Sequence, residues 1–363
     1  MKKILLASTA IVTAAALASP ATAADRIKLS LGGFMEQYIG FADNEEDTGA
    51  RDFASFDQQS DNEIYFAGST TLDNGIKLAV RVELEGETGT GGGGGFGGVD
   101  ESWLDIQTAW GSIRLGQEDV MADLQAVEPQ KGISNDADNW IPEFGMTLND
   151  DSYSVGGSGD DNQIHYLSPK IWGFQAGASY TPEIGNNSNT QPNRVGDASS
   201  GLSATLNWTG KFADIGIETG YAYYRQGGDA SSVTTGFVAH QAGLNVTFDG
   251  FGLGGAYGRH MGQKNIASDD ATIYKVGVWY GTGPILVGFL HRNETNEGGL
   301  TGTSSGGRED EATTNSVFFN YTISDGVKWE SMIFHADYDE ETGVDAAENN
   351  GGWGVVGGIR LDF

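Results

Sequence analysis

Apolar residues recur at every second position through long stretches of this chain, and the connections between those stretches alternate between two kinds. Side chains on a strand point to opposite faces in turn, so a period of two makes a ribbon with one oily side. Ile76, Leu78, Val80, Val82 and Leu84 share one face, and Lys77, Ala79, Arg81, Glu83 and Glu85 share the other. Val238, Ala242, Leu244, Val246 and Phe248 likewise oppose Ala239, Gln241, Gly243, Asn245 and Thr247. Residues 327–338 are the exception, with apolar residues at both parities. Short connections fall at 72–75, 110–112, 248–250, 281–284 and 324–326. Several carry Asn-Gly or Asp-Gly, which accept the positive φ of tight hairpin turns. Long, polar and acidic connections fall at 42–60, 85–101, 119–161, 182–200, 226–234, 260–270, 294–312 and 339–351. A soluble sandwich has no reason to sort its connections by parity. An up-and-down barrel with a turn end and a loop end must do so, and the pattern predicts an all-β transmembrane antiparallel barrel of about 16 strands.

Both ends of the chain fit an exported barrel. Lys2 and Lys3 precede an apolar run from Ile4 to Ala18, and Ala21-Thr22-Ala23 forms a small-residue cleavage site. This predicts a signal peptide over residues 1–23 and an outer-membrane barrel over residues 24–363. The last stretch places Trp353, Val355, Ile359, Leu361 and the terminal Phe363 on one face. Elsewhere no apolar run approaches the ~20 residues a membrane helix needs. The chain has no cysteine, so no disulfide holds it, and a closed ladder of strand hydrogen bonds would serve instead. Net charge is −30, and removal of Lys2 and Lys3 with the signal takes it to −32. Such a chain argues against a nucleic-acid partner, which requires clustered Lys and Arg. Around a channel mouth it attracts cations.

A barrel of about 16 strands encloses an aqueous channel unless something narrows it. The longest connection, 119–161, carries Val120, Met121, Leu124, Val127, Trp140, Ile141, Phe144, Met146 and Leu148, enough apolar surface to dock against a wall. It also contains Pro142-Glu143-Phe144-Gly145. With its signal sequence, terminal Phe363 and this motif in the third long loop, the chain resembles the Gram-negative general diffusion porins, in an alphaproteobacterial-like form. The resemblance implies a passive channel for small hydrophilic solutes and ions rather than an enzyme. It implies a homotrimer in the outer membrane, in contact with lipid and lipopolysaccharide. It further implies that Phe363 is the assembly signal read by the barrel-insertion machinery, and that the third loop folds into the lumen. Acids on that loop then face bases on the wall: Asp119, Asp123, Glu128, Glu143, Asp150 and Asp151 against Arg81 and Arg114. Lys28 and Lys77 share the lumen parity but lie nearer the turn end. The charge balance leads to an expectation of weak cation selectivity.

No cofactor is expected. Calcium is a candidate ligand of Asp150-Asp151 and Asp160-Asp161, because hard carboxylates suit it, although the spacing matches no EF-hand. Gly91 to Gly95 lacks the Gly-Lys-Ser/Thr ending of a phosphate loop and reads as a flexible connection that could reach a neighbouring subunit. His165, His240, His260, His291 and His335 share no metal spacing, and no Ser/His/Asp arrangement can be assembled. Three other readings remain: a solute-specific channel, to which Trp103 and Trp279 on lumen parity would belong, an outer-membrane barrel enzyme, and a soluble secreted β-protein.

Overall fold

The computed structural model describes residues 26–44, 55–86, 98–133, 140, 159–184, 200–227, 236, 238–262, 270–296, 310–340 and 350–363. The signal segment, the Gly-rich run, the Pro142 to Gly145 motif, Asp150 and Asp151 lie outside the described residues. Sixteen strands form one closed antiparallel barrel. In chain order they begin with β1 (Lys28–Asn44), β2 (Phe56–Thr71), β3 (Lys77–Glu85), β4 (Val99–Thr108) and β5 (Gly111–Gln117). After a single helical turn α1 (Met121–Leu124) come β6 (Asn162–Leu167), β7 (Phe174–Thr181), β8 (Gly201–Phe212), β9 (Ile215–Gln226) and β10 (Val238–Phe248). The wall is completed by β11 (Phe251–Met261), β12 (Ala271–Thr282), β13 (Ile285–Asn296), β14 (Asp310–Ser324), β15 (Val327–Glu340) and β16 (Asn350–Asp362). Each strand pairs with its sequence neighbours, and β16 pairs with β1 to close the cylinder. Closure leaves no sheet edge unpaired. At the seam the backbones of Phe363 and Gly33 exchange two hydrogen bonds of 3.0 Å each.

The parity expected from sequence is the parity found. Leu244 and Phe248 face outward, while Ala239 and Gln241 are buried inside. The β10–β11 hairpin turns at Asp249 (φ 47°) and Gly250 (φ 83°), consecutive positive φ angles that match the twist of the flanking strands. Ala213, with φ 53°, makes a turn between β8 and β9 that its composition does not announce. Strands also run further than expected into the polar connections: β1 reaches Asn44 and β2 begins at Phe56, inside the stretch read as a 42–60 loop. The strand ladder is made by backbone groups, so it continues with polar side chains once a strand has left the hydrocarbon.

The two-faced strand β15 has a physical explanation. Trp329 and Ile333 face outward, whereas Met332, Phe334, Ala336 and Tyr338 are buried inside. Its inner face is covered by chain rather than by water, so both faces are apolar.

The outward rows predict a sharp asymmetry between neighbours. Arg in place of Val80, further from the turn and toward mid-membrane, should cost roughly 2–4 kcal/mol in a bilayer. Arg in place of the inward Ala79 should cost little. Unfolding from lipid vesicles measures both, and equal losses at the two positions would contradict the register.

Candidate functional site: the loop-lined lumen

The described part of the connection between β5 and β6 does not project from the barrel rim. Its described residues lie along the inner wall and cross the strands in order. At α1 the backbone N–H of Met121 donates to Ser179 Oγ on β7 (3.0 Å), and that of Ala122 donates to Ser203 Oγ on β8 (3.3 Å). Val120 and Ala122 pack on Ala222, Tyr224 and Ala239 of β9 and β10. Further along, Asn207 donates to the Gln125 carbonyl (2.8 Å) and Asn245 to the Glu128 carbonyl (2.8 Å). The Glu128 carboxylate accepts from Gln241 Nε2 (2.9 Å) and pairs with Lys275 Nζ of β12 (2.9 Å). Asn320 of β14 donates to the Gly132 carbonyl. Ile133 and Trp140 complete the crossing in a cluster with Tyr38, Met332, Phe334 and Val356, on β1, β15 and β16.

Glycines on the inner wall make room for this path. A methyl group at Gly243 would run into the Val127 carbonyl, and one at Gly277 would lie 2.8 Å from Pro129 Cβ. Only a residue without a side chain lets the loop backbone approach so closely.

The inner wall of β2–β4 meets none of residues 121–133, nor Trp140, in these contacts, and it is where the charges gather. The ligand oxygens of Glu63, Glu85 and Asp100 lie within 4.8 Å of one another. Glu101 stands within hydrogen-bonding reach of both Glu83 and Glu118. Asp119 has Asp123 and Asp160 as charged neighbours. Register shifts between Val82 and Leu84, so that Asp100 and Glu101 together oppose the single residue Glu83. Such a bulge re-aims side chains, and here it turns two successive acids toward the lumen.

Two of the predicted bases stand in this group. Arg81 lies 3.8 Å over the Tyr65 ring and pairs with Glu83. Arg114 lies 3.9 Å over the Trp103 ring and pairs with Glu118. Nine carboxyls, Glu63, Glu83, Glu85, Asp100, Glu101, Glu118, Asp119, Asp123 and Asp160, therefore surround two guanidinium groups. Burial, with Asp123 and Asp160 nearby, pushes Asp119 up to about 8. Burial and the neighbouring Asp100 push Asp160 up to about 7. For Glu118, burial and Glu101 outweigh Arg114, and its carboxyl is pushed up to about 7. Glu128 behaves in the opposite way: burial would raise it, but Lys275, Lys131 and Gln241 hold it below the usual range.

Of the sequence-predicted site residues, Arg81, Arg114, Asp119 and Asp123 are thus brought to one region, and Glu128 to the opposite wall against Lys275. Glu143, Asp150 and Asp151 lie outside the described residues. Sequence reasoning missed the acids of β2–β4, whose parity was legible but whose convergence from three strands was not. It also missed Lys275, Arg292 and Arg360, which pair with Glu128, Glu294 and Glu36.

A closed sixteen-strand barrel with an oily outer face, a polar inner face and a segment laid along its inside is the architecture of an outer-membrane diffusion channel. Residues 7–341 match the family model of the Gram-negative porins, and the chain belongs to that family. Among solved structures it is similar to the anion-selective porin from Comamonas acidovorans, with 14% identity over 93% of this chain and 100% of that one and a TM-score of 0.64. The trimer form of OmpT, an outer-membrane protein of Vibrio cholerae, is 14% identical over 93% and 100% of the two chains, with a TM-score of 0.60. A mutant of the Rh. blastica porin is 15% identical over the same shares, with a TM-score of 0.58. No curated protein matches the chain.

Proposed function

We propose that this outer-membrane channel conducts small hydrophilic solutes with a weak preference for cations. The observation that carries the reading is the excess of carboxyls over guanidinium groups on the β2–β4 wall, opposite the loop-covered half of the lumen. A passage bounded by acids lowers the energy of a cation and raises that of an anion. The similar Comamonas porin is anion-selective, so the fold does not set the sign, and the charges lining the lumen must. Asp119, Asp123, Arg81 and Arg114 belong to the narrow section in this reading, with Glu143, Asp150 and Asp151 carried by the same loop. No cofactor takes part. A divalent cation such as calcium would enter as a ligand of Glu63, Glu85 and Asp100 rather than as a catalyst. The trimer form of the similar OmpT supports a homotrimer. In this reading Phe363, exposed at the seam, is the residue that the insertion machinery recognises, and the chain is exported through a cleaved signal over residues 1–23.

Reversal potential in a salt gradient tests it. The raised carboxyls of Asp119, Asp160 and Glu118 should lose their protons between about pH 6 and 9. Cation preference should therefore strengthen as pH rises through that window. The stability sign is opposite. A carboxyl raised in the folded state binds its proton more tightly there, so its stabilising effect is full below the ordinary carboxyl range. That effect is lost as pH climbs to about 8, the value for Asp119. Anion preference at every pH would overturn the proposal.

A further inference from the structure

Three arginines on the inner wall repeat one arrangement. Arg81 on β3 stands opposite Ala67, and its guanidinium lies 3.8 Å over the ring of Tyr65, two residues before that partner. Arg114 on β5 stands opposite Asp105 and lies 3.9 Å over the ring of Trp103, again two residues before. Arg360 on β16 stands opposite Glu36 and lies 4.2 Å over Phe34. Diagonal neighbours on paired strands are within reach of long and aromatic side chains, so the register itself lays each guanidinium on a ring.

The stacks of Arg81 and Arg114 stand in the acidic wall and share further features. Each ring is held at its polar edge by a carboxylate: the Tyr65 hydroxyl donates to Glu63, and Trp103 Nε1 donates to Glu101 (3.2 Å). Each guanidinium also pairs with an acid of its own stretch of chain, Glu83 for Arg81 and Glu118 for Arg114. Those acids are covered, with 6% and 3% of the side chain exposed, whereas Arg81 and Arg114 keep 32% and 26%. Lumen water at these two places therefore meets the guanidinium groups more than their paired acids. A long side chain with a part-exposed head has room to leave the wall once the ring beneath it is gone.

We infer that Tyr65 and Trp103 are positioning residues for ion selectivity. Their rings hold the two guanidinium groups against the wall, where Glu83 and Glu118 offset them, and the remaining carboxyls act on passing ions. Without a ring, the guanidinium swings into the passage, where it repels cations and attracts anions. The inference rests on the channel reading above, and it concerns the direction of a change rather than the sign of the wild-type preference.

Reversal potential in a salt gradient, recorded over the same pH window, tests it. Tyr65→Leu and Trp103→Leu keep every charge. Each should nevertheless lower the cation-to-anion permeability ratio by roughly twofold to fivefold, the bias that a part-exposed guanidinium–ring stack supplies. Tyr65→Phe keeps the ring and loses the bond to Glu63, so its ratio should stay close to wild type. Removing the arginine separates positioning from packing. In an Arg81→Gln background Tyr65→Leu should add no further shift, and in an Arg114→Gln background Trp103→Leu should add none. Salt conductance and heat-modifiable migration report that each variant forms the barrel, and two rings on separate strands give two independent trials. Higher conductance with an unchanged permeability ratio would mean that the rings only fill space and would overturn the inference. An equal shift with and without the arginine would overturn it too. An anion-preferring wild type with the same downward shift in both leucine variants would support the positioning role while removing the cation reading. A cation-preferring wild type with no shift in either variant would remove the positioning role alone.

Discussion

Lys275→Met should loosen the loop from the wall and raise single-channel conductance. Lys275 is 6% exposed on the inner face of β12, and its ammonium stands 2.9 Å from Glu128. Removing one member of a buried pair leaves the other charge without compensation, which costs about 3–5 kcal/mol; lumen water near Glu128 places this case at the low end. The loop has a direct way to escape that cost by lifting residues 126–131 into the channel water. In the wild type Glu128 is held below the usual carboxylate range. Its share of docking is therefore present above the ordinary glutamate pKa and is lost as pH falls through the depressed folded value. In Lys275→Met the depression should weaken, because burial is then opposed by Lys131 and Gln241 alone. Lys275→Met combined with Glu128→Gln should restore docking at neutral pH. Conductance that matches wild type from pH 5 to 8 in the single variant would show that the pair does not hold the loop.

Trp140→Ala should free the far end of the same loop. Trp140 is fully buried, meets the Tyr38 ring edge-on at 6.2 Å and 87°, and shares a cluster with Ile133, Met332, Phe334 and Val356. Truncating a buried tryptophan costs about 3–5 kcal/mol through lost contacts and the cavity left behind. The barrel ladder does not pass through this cluster, so heat-modifiable migration should persist. Limited proteolysis from the loop side should cut the connection between β5 and β6 faster, and the solute size limit should rise. Protection equal to wild type would mean that the cluster is packing without a restraining role.

Fold and site were legible to different depths. Period-two patterning and the sorted connections are local features, and they were enough for an up-and-down barrel of the right strand number, because a closed ladder needs only alternating faces and turns that close. The resemblance carried by the third loop and Phe363 led to the porin family that the chain belongs to. Strand β15 was ambiguous for a reason invisible in its own residues: Met332 and Phe334 face Trp140 and its neighbours instead of water. Inward glycines such as Gly243 read only as strand residues until Val127 was seen against them.

What the sequence by itself determined was which face each side chain takes, since parity on a strand is set by backbone geometry alone. Arg81 and Arg114 could be placed on the lumen side for that reason. Which charges meet was decided only by the tertiary structure. Glu63, Glu85 and Asp100 come from three strands joined by barrel register, and the bulge opposite Glu83 adds Glu101 to their wall. Glu128 finds Lys275 across 147 residues because the loop turns inward along a glycine track and buries its apolar side. Long-range electrostatics depends on distances that register and loop docking create, and neither is a property of any one stretch of chain.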